Sequence, residues 1–269
     1  MRWICLIATA GAIAASAALA ETKPQISVTT KAAEITVTID NLMRKHPGLA
    51  ENCLAEGRRW AEQSRAQAAE ELKSNPDFFT EGRLWTFERR YEIVSVVAGR
   101  YVSVLRDDGV YSGGAHPNTH LDTILWDRNQ KKRINHRPFF RETTDNGPTM
   151  QALAQLARIA VAAEKIERGA VNDEVFKGKM TPERLAELDQ QIARGIQPSL
   201  LKIGAIALAL STQPAKSAGL TFFFSPYEVG SYAEGPYEVF VPWTEFRQFL
   251  SAEGAAIFGG ERPKGDRTP

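Results

Sequence analysis

Between Trp85 and Trp126 the chain alternates apolar and polar residues over stretches long enough to cross a sheet, a period of two that a helix cannot use. Trp85, Phe87, Arg89, Tyr91, Ile93 and Ser95 lie two apart, so the pattern places them on one face of a strand. Residues 101–105 and 121–126 repeat the theme. The breaks between them are turn formers. Ala98-Gly99-Arg100 is short enough for a hairpin, and Asp127-Arg128-Asn129-Gln130 precedes a strand-like 131–134. Upstream, residues 35–39 read Ile-Thr-Val-Thr-Ile, the half-buried strand pattern, and open the domain. The prediction is an α+β fold built on an antiparallel meander, with long helices packed on it.

The helices follow from spacings of three and four. After Pro47-Gly48, the residues Leu49, Cys53, Gly57, Trp60, Ser64, Ala68 and Leu72 form one narrow stripe whose small members predict close packing. The charged residues around them lie mainly off that stripe and read as a solvated face. From Pro148 to Arg168, the stripe Leu153, Leu156, Ala160, Ala163 and Ile166 predicts a second helix. Lys165 and Arg168 sit near its carboxyl end, and Gly169 is available as a cap. Thr181-Pro182 supplies an N-cap and first-turn proline for a third, running to about Ala193. Strands are expected at 203–210, 220–224 and 237–241, and a short final helix at 243–250.

Composition excludes one broad class. Lys+Arg total 33 against Asp+Glu 32, for a net charge of +1, which supplies no general field for nucleic acid or anionic membranes. The first twenty residues predict export. Arg2 is followed by an apolar run from Ile4 to Leu19 and by Ala18-Leu19-Ala20 before Glu21, the form of a cleaved signal peptide rather than a retained span. Without 1–20 the chain keeps one cysteine, Cys53, so no internal disulfide is available. Cys53 belongs to the helix stripe and reads as core. The domain is expected over 21–252, with an N-terminal part at about 30–140, a C-terminal part at about 148–250, and a frayed tail at 253–269.

Two polar clusters can carry chemistry. The first is Tyr111-Ser112-Gly113-Gly114-Ala115-His116-Pro117-Asn118-Thr119-His120. Its glycine pair permits unusual backbone geometry and exposed amides, while Ser112, His116 and Asn118 offer side-chain hydrogen bonds. An ordinary crossover loop satisfying its own backbone fits as well. His116 and His120 are four apart, but Pro117 argues against the helix that would turn them into a metal pair, so no metal or cofactor is expected. The second cluster runs Phe222-Phe223-Phe224-Ser225-Pro226-Tyr227-Glu228, through Tyr232 and Glu234, to Tyr237. Glu228 and Glu234 can be paired carboxylates of the glycan-hydrolase type, with tyrosines stacking on sugars. The other reading, and the one the pattern favours, is a strand, proline turn and return strand with solvated glutamates.

Taken together, SGGAHPN at 112–118 and FFFSPYEVGSYAEGPYEVFVPW at 222–243 resemble the secreted domain of the PdaC/SigV type with an RsiV-like carboxyl part. The resemblance spans 35–250, and the Pro-Tyr-Glu then Tyr-Ala-x-Gly-Pro order at 226–228 and 232–236 is its most specific element. It implies an α+β domain working in the cell envelope. The Thr-Phe-Asp-Asp and His-Ser-x-x-His type motifs of polysaccharide deacetylases are missing from the sequence.

The expectation is therefore a non-catalytic, periplasmic or extracellular module that binds a peptidoglycan-type glycan or a protein such as lysozyme. The binding residues would be Tyr111, Ser112, Gly113, Gly114, His116, Asn118, His120, Tyr227, Glu228, Tyr232 and Glu234. The rival is an envelope carbohydrate hydrolase or deacetylase-related enzyme with His116 or Glu228 as acid or base.

Overall fold

The computed structural model describes residues 23–170 and 182–266, the side chains of 182–188 excepted. The expected signal peptide and the Thr181 cap lie outside these residues. The fold is α+β, with two sheets. The larger has six strands: β1 (Ile26–Thr29), β2 (Ala33–Ile39), β3 (Trp85–Val97), β4 (Tyr101–Tyr111), β5 (Asn118–Asp127) and β6 (Lys132–Ile134), in that order across the sheet. From β3 to β6 it is the expected meander, turning at 98–100 and 128–131. One pair departs from the antiparallel pattern: β2 and β3 run parallel, with Ala33 opposite Trp85 and Ile39 opposite Tyr91. Helix α1 (Pro47–Ser74) is the crossover between them, since parallel neighbours need a long connection.

Helix α1 lies on one face of this sheet with Leu49, Cys53, Gly57, Ala61, Ser64 and Ala68 buried. The small residues are what permit this. A Cβ added at Gly57 would stand 2.7 Å from a Val37 methyl, well inside van der Waals contact. Polar residues cross this interface as matched sets. Arg89, 6% exposed, makes two bonds of 2.5 and 2.6 Å to Asp108, 7% exposed, and lies 4.5 Å over the Trp60 ring. Glu56 accepts from Tyr91, Arg106 and Arg133.

The one-face pattern of β3 holds as far as Ile93. A bulge after Ile93 shifts the register, so that Ser95 pairs with Ser103. Val94 then packs with Leu105, Ala207 and Phe223, and Ser95 faces the opposite side from Tyr91. An extra residue in one strand turns the side chains after it over.

That opposite side receives the smaller sheet of β7 (Ala205–Leu208), β8 (Gly219–Phe224) and β9 (Tyr237–Pro242), all antiparallel. Strand β7 meets the large sheet edge-on. The Ser95 hydroxyl donates to the Leu208 carbonyl at 2.5 Å, the Leu208 N–H donates to Ser103 Oγ at 3.0 Å, and the Ile206 N–H donates to Thr123 Oγ1 at 3.0 Å. Side-chain oxygens thus take the place of a neighbouring strand along an edge that would otherwise carry unpaired backbone groups.

Helix α2 (Pro148–Glu167) covers this second core, with α3 (Pro182–Gly195) beside it. Its buried face is Met150, Leu153, Ala154, Ala157, Val161 and Lys165, which differs from the predicted stripe. Ile166 is 49% exposed and Lys165 only 1%, so the lysine placed near the carboxyl end of the helix is a core residue. Beyond β9 come α4 (Trp243–Phe246) and α5 (Ala252–Ile257). Ile257 and Phe258 are core residues, and Arg262 pairs with Glu238 at 2.7 Å. The stretch expected to fray from 253 is therefore packed through its described part.

Candidate functional site

The two predicted clusters meet although about 110 residues separate them in sequence. The loop between β4 and β5 folds against the loop between β8 and β9, and His116 is the point of contact. Its ring stacks on Tyr232 with centroids 3.6 Å apart and planes 18° from parallel. The Tyr227 ring lies 6.4 Å from His116 and 5.7 Å from Tyr232. Polar contacts fix the group: His116 Nδ1 is 3.0 Å from the Pro117 carbonyl, and Tyr232 donates to that same oxygen at 2.7 Å. A carbonyl can only accept, so the neutral imidazole carries its proton on Nδ1 and leaves Nε2 to accept from the Tyr227 hydroxyl at 3.3 Å. Both nitrogens of the residue considered as a general base are thereby engaged.

Tyr227 is unusual in a second respect. Its φ is +75°, in the left-handed region, and the residue is 63% exposed. Such a backbone costs an ordinary side chain about 1–3 kcal/mol and persists only where the surroundings hold it. The holding is local. The Glu228 carboxylate accepts from the Ser225 N–H at 2.9 Å, and the Glu228 N–H donates to the Ser225 carbonyl at 3.1 Å. Ser225 is 5% exposed; its Oγ accepts from the Leu121 N–H at 3.0 Å and lies 3.4 Å from His120 Nδ1. This serine joins the loop to the free edge of β5.

Glu234 is committed elsewhere. One carboxylate oxygen accepts from the Ser231 N–H at 2.7 Å and closes a capping box. The other accepts from the Tyr237 hydroxyl at 2.6 Å and forms an ion pair with buried Lys165. Burial works against the charged form, but the Lys165 and Tyr237 hydrogen bonds outweigh it and hold the Glu234 carboxyl below its usual range. The pair fastens the 226–237 loop to α2, so Glu234 acts on the site by positioning it. Lys165 had no signal in the sequence, because a lysine near a helix end is ordinarily solvated.

The other predicted residues of the first loop flank His116 in sequence. Gly113, with φ +87°, backs onto Phe78, whose ring would be 2.2 Å from any Cβ there. Gly114 does not use a left-handed conformation. Tyr111, Ser112 and Asn118 are exposed. Among the described residues, no group of three or more His, Cys, Asp or Glu is arranged to hold a metal ion, and no helix is long and apolar enough to cross a membrane.

Residues 213–244 match the family model described as Protein of unknown function (DUF3298). The match falls on the site. It takes in β8, β9 and the loop carrying Tyr227, Tyr232 and Glu234. Two solved structures share the wider architecture. One is a DUF3298 family protein from Pseudomonas aeruginosa PAO1, 15% identical over 84% of this chain and 87% of its own, with a TM-score of 0.52. The other is a member of the DUF3298 family from Bacteroides fragilis, 15% identical over 84% of this chain and 92% of its own, with a TM-score of 0.51. At that identity the likeness is one of fold. No curated protein is significantly similar to the chain.

Proposed function

We propose that this protein is an exported, non-catalytic binding module of the cell envelope whose Tyr227, His116 and Tyr232 rings receive a sugar of a peptidoglycan-type glycan. One observation carries the reading: Tyr227 is held in a strained backbone conformation while its ring stays largely in solvent. Strain maintained at an exposed aromatic points to a ligand, because burying that ring would be the simpler route to stability. Aromatic faces take the apolar faces of sugar rings, and the exposed Ser112 and Asn118 of the same loop as His116, with Glu228 beside Tyr227 in sequence, offer donors and acceptors for hydroxyls. The resemblance to the PdaC/SigV and RsiV-like domain and the signal-like first twenty residues support the compartment.

The test is a pull-down of the purified domain on insoluble peptidoglycan and, separately, on immobilised lysozyme. Retention on peptidoglycan is expected, with at least a ten-fold loss for Tyr227→Ala. Retention on lysozyme alone would make the rings a protein contact, and retention of folded protein on neither would reject the binding reading. Turnover of muropeptides that disappears in His116→Ala would establish the enzyme instead.

A further inference from the structure

Strand β6 covers β5 only over Leu125–Asp127. His120 to Thr123 of β5 line a groove of about 540 Å³, which Gly195, residues 200–202 and residues 204–206 also line. That volume falls within the range of about 300–1,000 Å³ typical of ligand sites. The N–H groups of Leu121 and Thr123 on this edge are already taken, by Ser225 Oγ at 3.0 Å and by the Asp122 carboxylate at 2.7 Å. Because N–H and C=O of one residue point to the same side of a strand, the carbonyls of Leu121 and Thr123 face the groove edge as acceptors.

The charges in the groove are unevenly committed. Asp122 pairs with Arg106 at 2.8 Å and Glu228 accepts from Ser225. Arg137 and Lys202, both exposed, have no acidic partner among the described residues; Arg137 reaches only the Thr143 hydroxyl, at 3.3 Å. His136 also lines the groove, is 7% exposed, and has no hydrogen-bond partner at Nε2.

We infer that this groove binds an extended acidic peptide, laid along the free edge of β5 with its N–H groups donating to the Leu121 and Thr123 carbonyls and its carboxylates on Arg137 and Lys202. With both outward N–H groups taken, the main chain contributes through the two accepting carbonyls, and specificity falls to side-chain contacts, of which the unpaired ones among the described residues, Arg137 and Lys202, are cationic. At about 3.3 Å per residue a tetrapeptide spans about 13 Å, a reach suited to the stretch between His120 and Ile134. The groove touches the aromatic site through His120 and Glu228 but does not depend on it, and the probe below carries no sugar.

Calorimetry at low salt with acetyl-Ala-Glu-Ala-Glu, acetyl-Ala-Lys-Ala-Lys-amide, a fully N-methylated copy of the acidic peptide, and glutarate decides the matter. The acidic peptide alone is expected to bind well. Arg137→Glu/Lys202→Glu, whose exposed positions leave the fold intact by circular dichroism, should weaken it at least ten-fold. Equal binding of the basic peptide, or unchanged affinity in the double variant, overturns the site. Equal binding of the N-methylated copy overturns the strand pairing, and equal binding of glutarate overturns the peptide in favour of a small anion.

Discussion

The Lys165–Glu234 pair gives the sharpest test of how the aromatic loop is held. Lys165 is 1% exposed, so replacing Glu234 by Gln removes the acid that, among the described residues, pairs with this buried ammonium. Breaking a buried pair from one side costs about 3–5 kcal/mol, whereas replacing both partners with neutral groups of similar volume is often neutral. For a chain of this size, 3–5 kcal/mol lowers Tm by roughly 6–20 °C. Lys165→Met leaves Glu234, whose side chain is 18% exposed, with its Ser231 and Tyr237 donors and access to water, so it should cost less than Glu234→Gln. The double variant should recover most of the loss. Urea melts of the wild type, the two single variants and the double variant, read by tryptophan fluorescence, give the coupling directly. A double variant as unstable as the sum of the singles would refute the pairing as the organising contact. The pH behaviour carries a sign as well. The folded-state pKa of Glu234 is depressed, so its contribution is complete above the ordinary carboxylate range and is lost as pH falls through the folded value.

Other predictions follow from packing and titration. Gly57→Ala should destabilise by about 1–3 kcal/mol in urea melts, because its methyl would meet Val37 at 2.7 Å; an unchanged midpoint would show that α1 can slide away from β2. Ser103→Ala should cost about 1–3 kcal/mol by leaving the Leu208 N–H unpaired in the core, and amide exchange at Leu208 should quicken. Burial pushes the His136 pKa down to about 4 from 6.5. The unfolded chain therefore binds the extra proton between those values, stability falls as pH drops from 6.5 to 4, and His136→Phe should flatten that limb in pH-dependent melts. Burial likewise pushes the Cys53 thiol up to about 12, so a thiol reagent at pH 8 should label it only after unfolding; rapid native labelling would show that α1 opens locally.

The meander from β3 to β6 and the buried face of α1 were legible because period and turn chemistry are local properties. What escaped depends on partners. Alternation marked 35–39 as a strand but could not reveal that its neighbour is β3 in parallel, since that follows from where α1 delivers the chain. The bulge at Val94 reversed Ser95 because the second sheet takes up hydroxyls on that face. On α2 the apolar residues admit two adjacent stripes; Glu234, 69 positions away, selects the one that buries Lys165. The aromatic site was half legible. Its residues stood out by type, yet the stack of His116 on Tyr232 and the commitment of Glu234 to α2 exist only after two distant loops meet.

The edge-on seam of β7 against Ser95, Ser103 and Thr123 makes the two halves of the chain one cooperative body. Cut apart, the C-terminal half would present a bare, adhesive strand to any neighbour, and the N-terminal half would expose hydroxyls amid an uncovered apolar face. A truncation to residues 213–244 would go further: it would discard β7 itself and leave the β8 edge that β7 covers open to copies of the fragment.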